Sequence, residues 1–248
     1  MGQVRYRFHK ELNDFIMPAL RNIEITHDLN RKTSVKDDIE SFGVPHTEVA
    51  LILVNDAPKD FTYIVQDGDA IGVYPSSKCA DMKQIQRLRP EPSNTPKFVI
   101  DANLGRLARY LRLLGFDCFY RNDYSDDMVA KISSEGERAV LTRDRSLLQR
   151  KIIIYGYFVR ASTPKIQVKE VLKRFDLFHL IAPLVRCTRC NGKLIKTEKQ
   201  KIEHRLEPLT KLYYNDFLIC AACSQIYWQG SHYEHAMHLV NEFKEGGE

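Results

Sequence analysis

Hydrophobic and polar positions along the chain change period several times, and each change predicts an element. Val4-Arg5-Tyr6-Arg7-Phe8 alternates with period two, as a half-buried strand should, and Asn22-Ile23-Glu24-Ile25-Thr26 does the same. Ser34 opens a short helix through Phe42. Serine is a favoured N-cap, Asp37 and Asp38 suit the positive end of the helix dipole, and Gly43 stops it. Val49–Val54 is a continuous apolar strand followed by the turn Asn55-Asp56. Asp67-Gly68-Asp69 is a second turn, leading into the strand Ala70-Ile71-Gly72-Val73-Tyr74.

From Ser76 to Lys97 the periodicity is lost, and Pro90, Pro92 and Pro96 stand among polar residues, which predicts a linker whose flanking parts move relative to one another. Strand and helix patterns then alternate with short connections. Phe98-Val99-Ile100 is a buried-type strand; Leu104, Leu107, Ala108, Leu111 and Leu114 form one helical stripe, closed by Gly115. Strands at 116–120, 139–141 and 152–155 alternate with helices at 128–135, ended by Gly136, and 146–150. This order predicts a parallel sheet with helices on both faces.

Composition narrows the function classes. Of 248 residues, 44% are hydrophobic and 28% charged, a soluble globular balance. The longest apolar run, Val49–Val54, is far short of the ~20 residues of a membrane span. Met1–Lys10 has no signal-peptide core, and Tyr6 stands where a myristoylation motif needs Ser or Thr. The expectation is a cytoplasmic protein. The net charge of +5 is unevenly spread: Arg145–Lys211 holds sixteen Lys/Arg against five acids, while Phe98–Asp144 holds seven against eight. A basic stretch beside an acidic one suits a polyanion docking next to a metal site, although solvated basic surfaces are also common.

The acids have a defined place in the predicted sheet. In open parallel sheets, residues just past the carboxyl ends of strands converge on one edge. Asp101 and Asp144 fall at such ends, and Asp126 or Asp127 opens a helix after another. Taken singly, each reads as a helix cap. Taken together they predict carboxylates crowded tightly enough to need a cation. Oxygen ligands without His or Cys select Mg²⁺ or Mn²⁺, which activate water and stabilise an in-line phosphoryl displacement. Asn103 and Arg106, just past Asp101, and Arg143, beside Asp144, are candidates for contacting phosphate or solvated surface residues. Thr142 reads as a turn-forming hydroxyl within reach of the same phosphate.

Four of the six cysteines form Cys187-Thr-Arg-Cys190 and Cys220-Ala-Ala-Cys223. Two such knuckles predict tetrahedral thiolate ligation of structural Zn²⁺, with binding energy that is part of folding. Asn191-Gly192-Lys193 and the aromatic strand Tyr227-Trp228 fit a zinc ribbon. Cys118 reads as buried packing, and Cys79 has no partner in this scheme. Between the knuckles lie Lys193, Lys196, Lys199, Lys201, Arg205 and Lys211, with Tyr213 and Tyr214 following, a set able to hold RNA backbone and stack bases. His232, His235 and His238 read as a solvated helical face.

Two resemblances join these parts. The order of the first 75 residues is similar to a β-grasp, the ubiquitin-like fold, and to its sulfur-carrier members. No Gly-Gly ends the module here and the chain continues, so carrier chemistry gives way to a binding or regulatory role. The run from Asp101 to Gly115, then Asp126-Asp127, then Leu141-Thr-Arg-Asp144, resembles the PIN-like nucleases and, more narrowly, the Mut-seven carboxy-terminal RNase family. Members of that family often carry an N-terminal ubiquitin-like module and a C-terminal zinc ribbon.

The resemblance implies an α/β protein divided into a β-grasp module (1–78), a linker (79–96), a PIN-like nuclease domain (97–180) and a zinc ribbon with the C-terminal segment (181–248). It implies a metal-dependent ribonuclease, endonucleolytic, with Asp101, Asp126 and Asp144 as catalytic Mg²⁺ or Mn²⁺ ligands and Asp123 and Asp127 as auxiliaries. RNA is the expected partner, tRNA or another structured RNA among the candidates, with a protein partner for the β-grasp and no membrane. A last-strand acid found in many PIN nucleases has no counterpart in Ile152–Arg160, which leaves one or two metals open. It also favours the alternative of a non-catalytic zinc-ribbon RNA-binding adaptor; a toxin-like nuclease controlled by a partner is a third reading.

Overall fold

The computed structural model describes residues 2–75, 88 and 95–245. The predicted linker and Cys79 lie almost wholly outside the described residues. The N-terminal unit is a five-stranded mixed sheet in the order β2-β1-β5-β3-β4, formed by β1 (Gly2–Phe8), β2 (Ile25–Leu29), β3 (Val49–Val54), β4 (Ala57–Lys59) and β5 (Ala70–Pro75). The first and last strands lie side by side and parallel, and the other pairings are antiparallel, the β-grasp arrangement. The alternation of β1 sends Val4, Tyr6 and Phe8 inward and leaves Arg5 and Arg7 outside. Helix α1 (Val35–Ser41) is capped as expected, with the Asp37 N–H donating to Ser34 Oγ at 3.1 Å. Its Ile39 is fully buried against the sheet.

One strand is displaced from its prediction. Residues 22–26 alternate, but β2 begins at Ile25 and pairs with Tyr6, while Ile23 is exposed. Asn22 adopts a left-handed backbone, and its N–H donates to Asn13 Oδ1 at 2.7 Å, so this segment is a turn.

The central unit is an all-parallel sheet in the order β7-β6-β8-β9. Its chain order is β6 (Phe98–Ile100), α2 (Gly105–Leu113), β7 (Cys118–Phe119), α3 (Asp126–Gly136), β8 (Ala139–Thr142), α4 (Arg145–Leu148), β9 (Gly156–Phe158) and α5 (Pro164–Arg174). Every residue of β6 is buried because helices cover both faces, as parallel sheets require. Phe98 and Ile100 pack with Leu107, Leu111, Val168 and Val171 on one side. Val99 packs with Val129, Ala130, Leu147 and Leu148 on the other. The last strand falls after the predicted 152–155. Ile152 and Ile154 are about half exposed, and pairing with β8 begins at Gly156. Helix α3 likewise runs through Gly136, and Glu137 takes the left-handed turn expected of that glycine.

The third unit is an antiparallel sheet of β10 (Leu194–Thr197), β11 (Phe217–Cys220) and β12 (Ile226–Trp228), with the short helices α6 (Lys199–Ile202) and α7 (Pro208–Tyr213) between the first two strands. Helix α8 (Ser231–Lys244) follows. It does not stay with the small sheet: Leu239, Val240 and Phe243 join the core around Phe98 and Leu107, and Lys165 pairs with Glu242. His232, His235 and His238 lie on its exposed side, as predicted. No described helix is long and apolar enough to cross a membrane.

The units are docked, contrary to the independent motion expected from a proline-bearing linker. Glu48, at the end of a short 3-10 turn, accepts from the Phe158 N–H of β9 at 2.6 Å and pairs with Arg160 at 3.2 Å. Arg160 also donates to Asp14 at 2.8 Å, and His46 Nε2 donates to the Ile153 carbonyl at 2.9 Å. Burial pushes the Glu48 carboxyl up, with Arg160 and the Phe158 N–H opposing it.

Gly115 ends α2 at φ +98°, and a Cβ there would lie 2.1 Å from the Ala182 carbonyl oxygen. Gly68 has φ +84° but open space around it. Gly115→Ala is expected to cost roughly 2–4 kcal/mol, strain and overlap together, and Gly68→Ala only about 1–2 kcal/mol. Urea midpoints of the two variants check this; equal losses would show that the Ala182 contact is unimportant.

Candidate active site and cysteine cluster

Asp101 leaves β6 at its carboxyl end, with its N–H still in the ladder to the Leu141 carbonyl at 3.0 Å. Its side chain is buried and caps no helix. Instead, Asp101 Oδ2 accepts the Thr142 hydroxyl at 2.7 Å, and Thr142 is wholly buried at the end of the neighbouring β8. The same hydroxyl oxygen accepts the Asp144 N–H at 2.9 Å. One hydroxyl thus ties the first acid to the turn that carries the second. The loop after Asp101 is further pinned by Tyr120, whose hydroxyl donates to the Ala102 carbonyl at 3.1 Å. A Cβ on Gly105 would stand 2.4 Å from that hydroxyl.

Asp144 does cap a helix. Its Oδ1 accepts both the Ser146 N–H and hydroxyl at 2.7 Å. Asp126 occupies the first position of α3, where Ser125 is the cap. Asp127 pairs with Arg150, a residue that no motif in the sequence marks. The Asp127 bond raises the Arg150 guanidinium above its ordinary value, and Asp126 and Asp144 add to the effect, so this arginine lies in the field of three of the acids.

The expected crowding is therefore looser than the strand-end argument implies. Among the described residues, the four cysteines are the only group of three or more His, Cys, Asp or Glu whose ligand atoms all lie within 4.8 Å of one another. Thr142 holds Asp101, the start of α4 holds Asp144, and Arg150 draws on Asp127. Asp123 is engaged elsewhere, in a two-pronged exposed pair with Arg121 that holds its carboxyl below the usual range. Asn103 and Arg106 are exposed, and Arg143 donates to the Ala161 carbonyl. Arg145, next to Asp144, reaches the β-grasp unit and donates to the Phe15 carbonyl at 3.2 Å.

Cys187, Cys190, Cys220 and Cys223 close into a compact cluster. Cys187 and Cys223 sulfurs are 3.6 Å apart and those of Cys190 and Cys220 3.4 Å. Those separations are far beyond the ~2.05 Å of a disulfide and near the ~3.8 Å edge of a tetrahedron with 2.3 Å metal–sulfur bonds. The donor set fits Zn²⁺. Burial opposes ionisation of Cys220, but the N–H groups of Cys223 and Ala222 and the neighbouring thiols bring it down to about 7. Burial holds Cys190, beside it, up at about 12.

The cluster is fastened to the parallel-sheet core. Asp117 accepts Arg138 at 2.7 Å, Asn191 at 2.8 Å and Arg186 at 3.0 Å, while Asn191 Oδ1 accepts the Cys118 N–H at 2.9 Å. Cys118 is buried packing, as expected.

A family model described as the Mut7-C RNAse domain matches residues 96–240, and one described as Mut7-C ubiquitin matches residues 1–81. The chain belongs to the Mut7-C RNase family. Neither the curated proteins nor the solved structures contain a match. The Mut7-C RNase region takes in both the acidic sheet edge and the cysteine cluster, and it runs on into α8, which packs against the same core.

Asp117 gives this Mut7-C domain a pH dependence of known sign. Burial raises its carboxyl, but Arg138, Asn191 and Arg186 outweigh that and leave it below the ordinary range. A depressed carboxyl contributes stability that is present above the unfolded-state value, near 3.9, and lost as pH falls through the folded one. Stability is expected to fall steeply below about pH 4. Asp117→Asn should flatten that fall and remove roughly 1–3 kcal/mol at pH 7. Denaturant titrations of both proteins from pH 3 to 7 check this; parallel curves would contradict it.

Proposed function

We propose that the chain is a divalent-metal-dependent ribonuclease that hydrolyses internal phosphodiester bonds of RNA. The observation that carries this reading is the Asp101–Thr142–Asp144 linkage at the carboxyl edge of the parallel sheet, inside the region matched by an RNase family. Asp101 and Asp144, with Asp126 opening the facing helix, would hold Mg²⁺ or Mn²⁺. Their donor set is all oxygen, and Mg²⁺ binds through one or two carboxylates while keeping several waters, which suits acids that do not all converge. When bound, such an ion supplies a Lewis acid for a phosphodiester oxygen and makes water a better nucleophile.

The chain's own residues prepare that site. Thr142 gives its single proton to Asp101 and so fixes which carboxylate oxygen remains outward. The Asp144 N–H, held by the same hydroxyl, sets the turn from which Asp144 projects. Arg150 limits the repulsion among Asp126, Asp127 and Asp144. Asn103, Arg106 and Arg143 are the candidates for holding substrate phosphates.

The cysteine cluster would hold structural Zn²⁺. Its basic side chains Lys193, Lys196, Lys199, Lys201, Arg205 and Lys211, with the exposed Tyr213 ring, would bind the RNA backbone and bases. The β-grasp, docked through Arg145 and Arg160 next to the Thr142–Asp144 turn, would recruit a protein partner or restrict access to the edge.

One observation favours the adaptor reading. Glu170, the next acid after β9, has its carboxylate taken by the Tyr157 hydroxyl and the N–H groups of Arg160 and Ala161, at 2.8–2.9 Å. It is not free to replace the missing last-strand acid.

Purified protein is expected to cut RNA internally with Mg²⁺ or Mn²⁺. EDTA and Asp101→Asn should each abolish cleavage, and Thr142→Val should slow it about 10- to 100-fold. Undiminished cleavage by Asp144→Asn would overturn the site assignment. RNA binding with no cleavage and no millimolar Mg²⁺ or Mn²⁺ site would establish the adaptor instead.

A further inference from the structure

Arg112 lies on α2 and is 4% exposed, yet among the described residues it meets no carboxylate. Its donors are spent on backbone carbonyls. Nε donates to Cys118 at 2.9 Å and Nη2 to Tyr120 at 3.3 Å, both on or beside the edge strand β7. Nη1 donates to Arg189 at 3.0 Å and Thr188 at 3.5 Å, the two residues between Cys187 and Cys190. Carbonyls satisfy N–H groups but do not neutralise a charge, and a buried cation without a counter-charge is strongly unfavourable. The neighbouring arginines of the same joint, Arg138 and Arg186, have Asp117 for this purpose. The ionisable groups whose charge bears most on Arg112 are the thiols of Cys118, Cys190 and Cys187 and the Tyr124 phenol.

We propose that Arg112 is the counter-charge of the metal–thiolate centre and the fork that pins its first knuckle to the nuclease core. Four thiolates around a divalent cation carry a net double negative charge, and the guanidinium offsets part of it from within the protein. The proposal rests on the reading that the cysteines hold Zn²⁺. It makes the metal part of the stability of α2, the helix that follows Asp101, and not of the small sheet alone.

The full-length protein tests it. Elemental analysis should find one zinc per chain; a wild-type protein without zinc would overturn the ribbon reading and this proposal together. With zinc present, competition against a chromogenic chelator should show Arg112→Met binding it 10- to 100-fold more weakly, the range for residues that support metal ligands from behind. Arg112→Lys, which keeps the charge without the fork, should lose less.

The dependence on metal separates this role from plain packing. Arg112→Met should lower the melting temperature of the zinc form but not of the chelated form, where the uncompensated arginine is itself a burden. In the wild type, zinc removal should speed amide exchange in Gly105–Leu113, a readout that stands even if Arg112→Met does not fold. Zinc affinity within threefold of wild type in both variants would overturn the proposal. So would equal destabilisation with and without metal, or exchange changes confined to residues 185–230.

Discussion

A charge taken out of water must find a partner, and in this chain two acids find theirs across the joints between units. Glu48 of the β-grasp meets Arg160 and the Phe158 N–H of the central sheet. Asp117 of the central unit gathers Arg138 from its own helix–strand junction and Arg186 and Asn191 from the first cysteine knuckle. Any of these groups left alone would cost several kcal/mol. Each pair therefore fixes an orientation that apolar contact by itself would leave loose. The three parts form a single assembly for this reason, although each has its own sheet.

The same rule shapes the acidic edge. Asp101 is buried and needs a donor. Thr142 supplies it, and because Thr142 also accepts from the following turn, the position of Asp144 is set by the way Asp101 is satisfied. The remaining acids are met by Arg150 and by the start of α3. Such an edge is already partly neutralised by the protein, so the carboxylates need not converge on one point to coexist. The ion of the proposed function would meet such an edge with several of its waters retained, not inside a closed cage of carboxylates.

The legible part of this structure is the local part. The leucine stripe of α2, the Ser34 cap, Val49–Val54 and the paired Cys-x-x-Cys knuckles are signals contained in a few neighbouring residues, and each is where the pattern puts it. The displaced elements are those in which pattern and pairing disagree. Ile23 alternates with polar neighbours and Ile152 opens an apolar run, both strand-like patterns, but the partners of β2 and β9 select Ile25 and Gly156. Thr142 was visible as a turn hydroxyl but not as the donor to Asp101, because that contact spans 41 residues. Arg150 and Arg112 carry no motif. Their importance comes from what surrounds them in space, and nothing in a linear reading separates them from the chain's many solvated arginines. The docking of the β-grasp was hidden for the same reason, since a proline-bearing linker says nothing about the contacts its flanking parts make.

Helix α2 is where these constraints meet. It starts just past Asp101, pinned there by the close approach of Tyr120 to Gly105, and ends at Gly115 against the Ala182 carbonyl. Arg112 lies about two turns from its start, or ~10 Å at 1.5 Å per residue. Between these two clamps the helix is packed by a continuous leucine face. Arg112 ties the first knuckle to this helix through the Thr188 and Arg189 carbonyls, while Tyr120 ties the turn after Asp101 to its start. The cysteine cluster, far from the acids in sequence, is thus fastened to the helix that follows the first of them. The same helix also supplies much of the core on one face of the sheet.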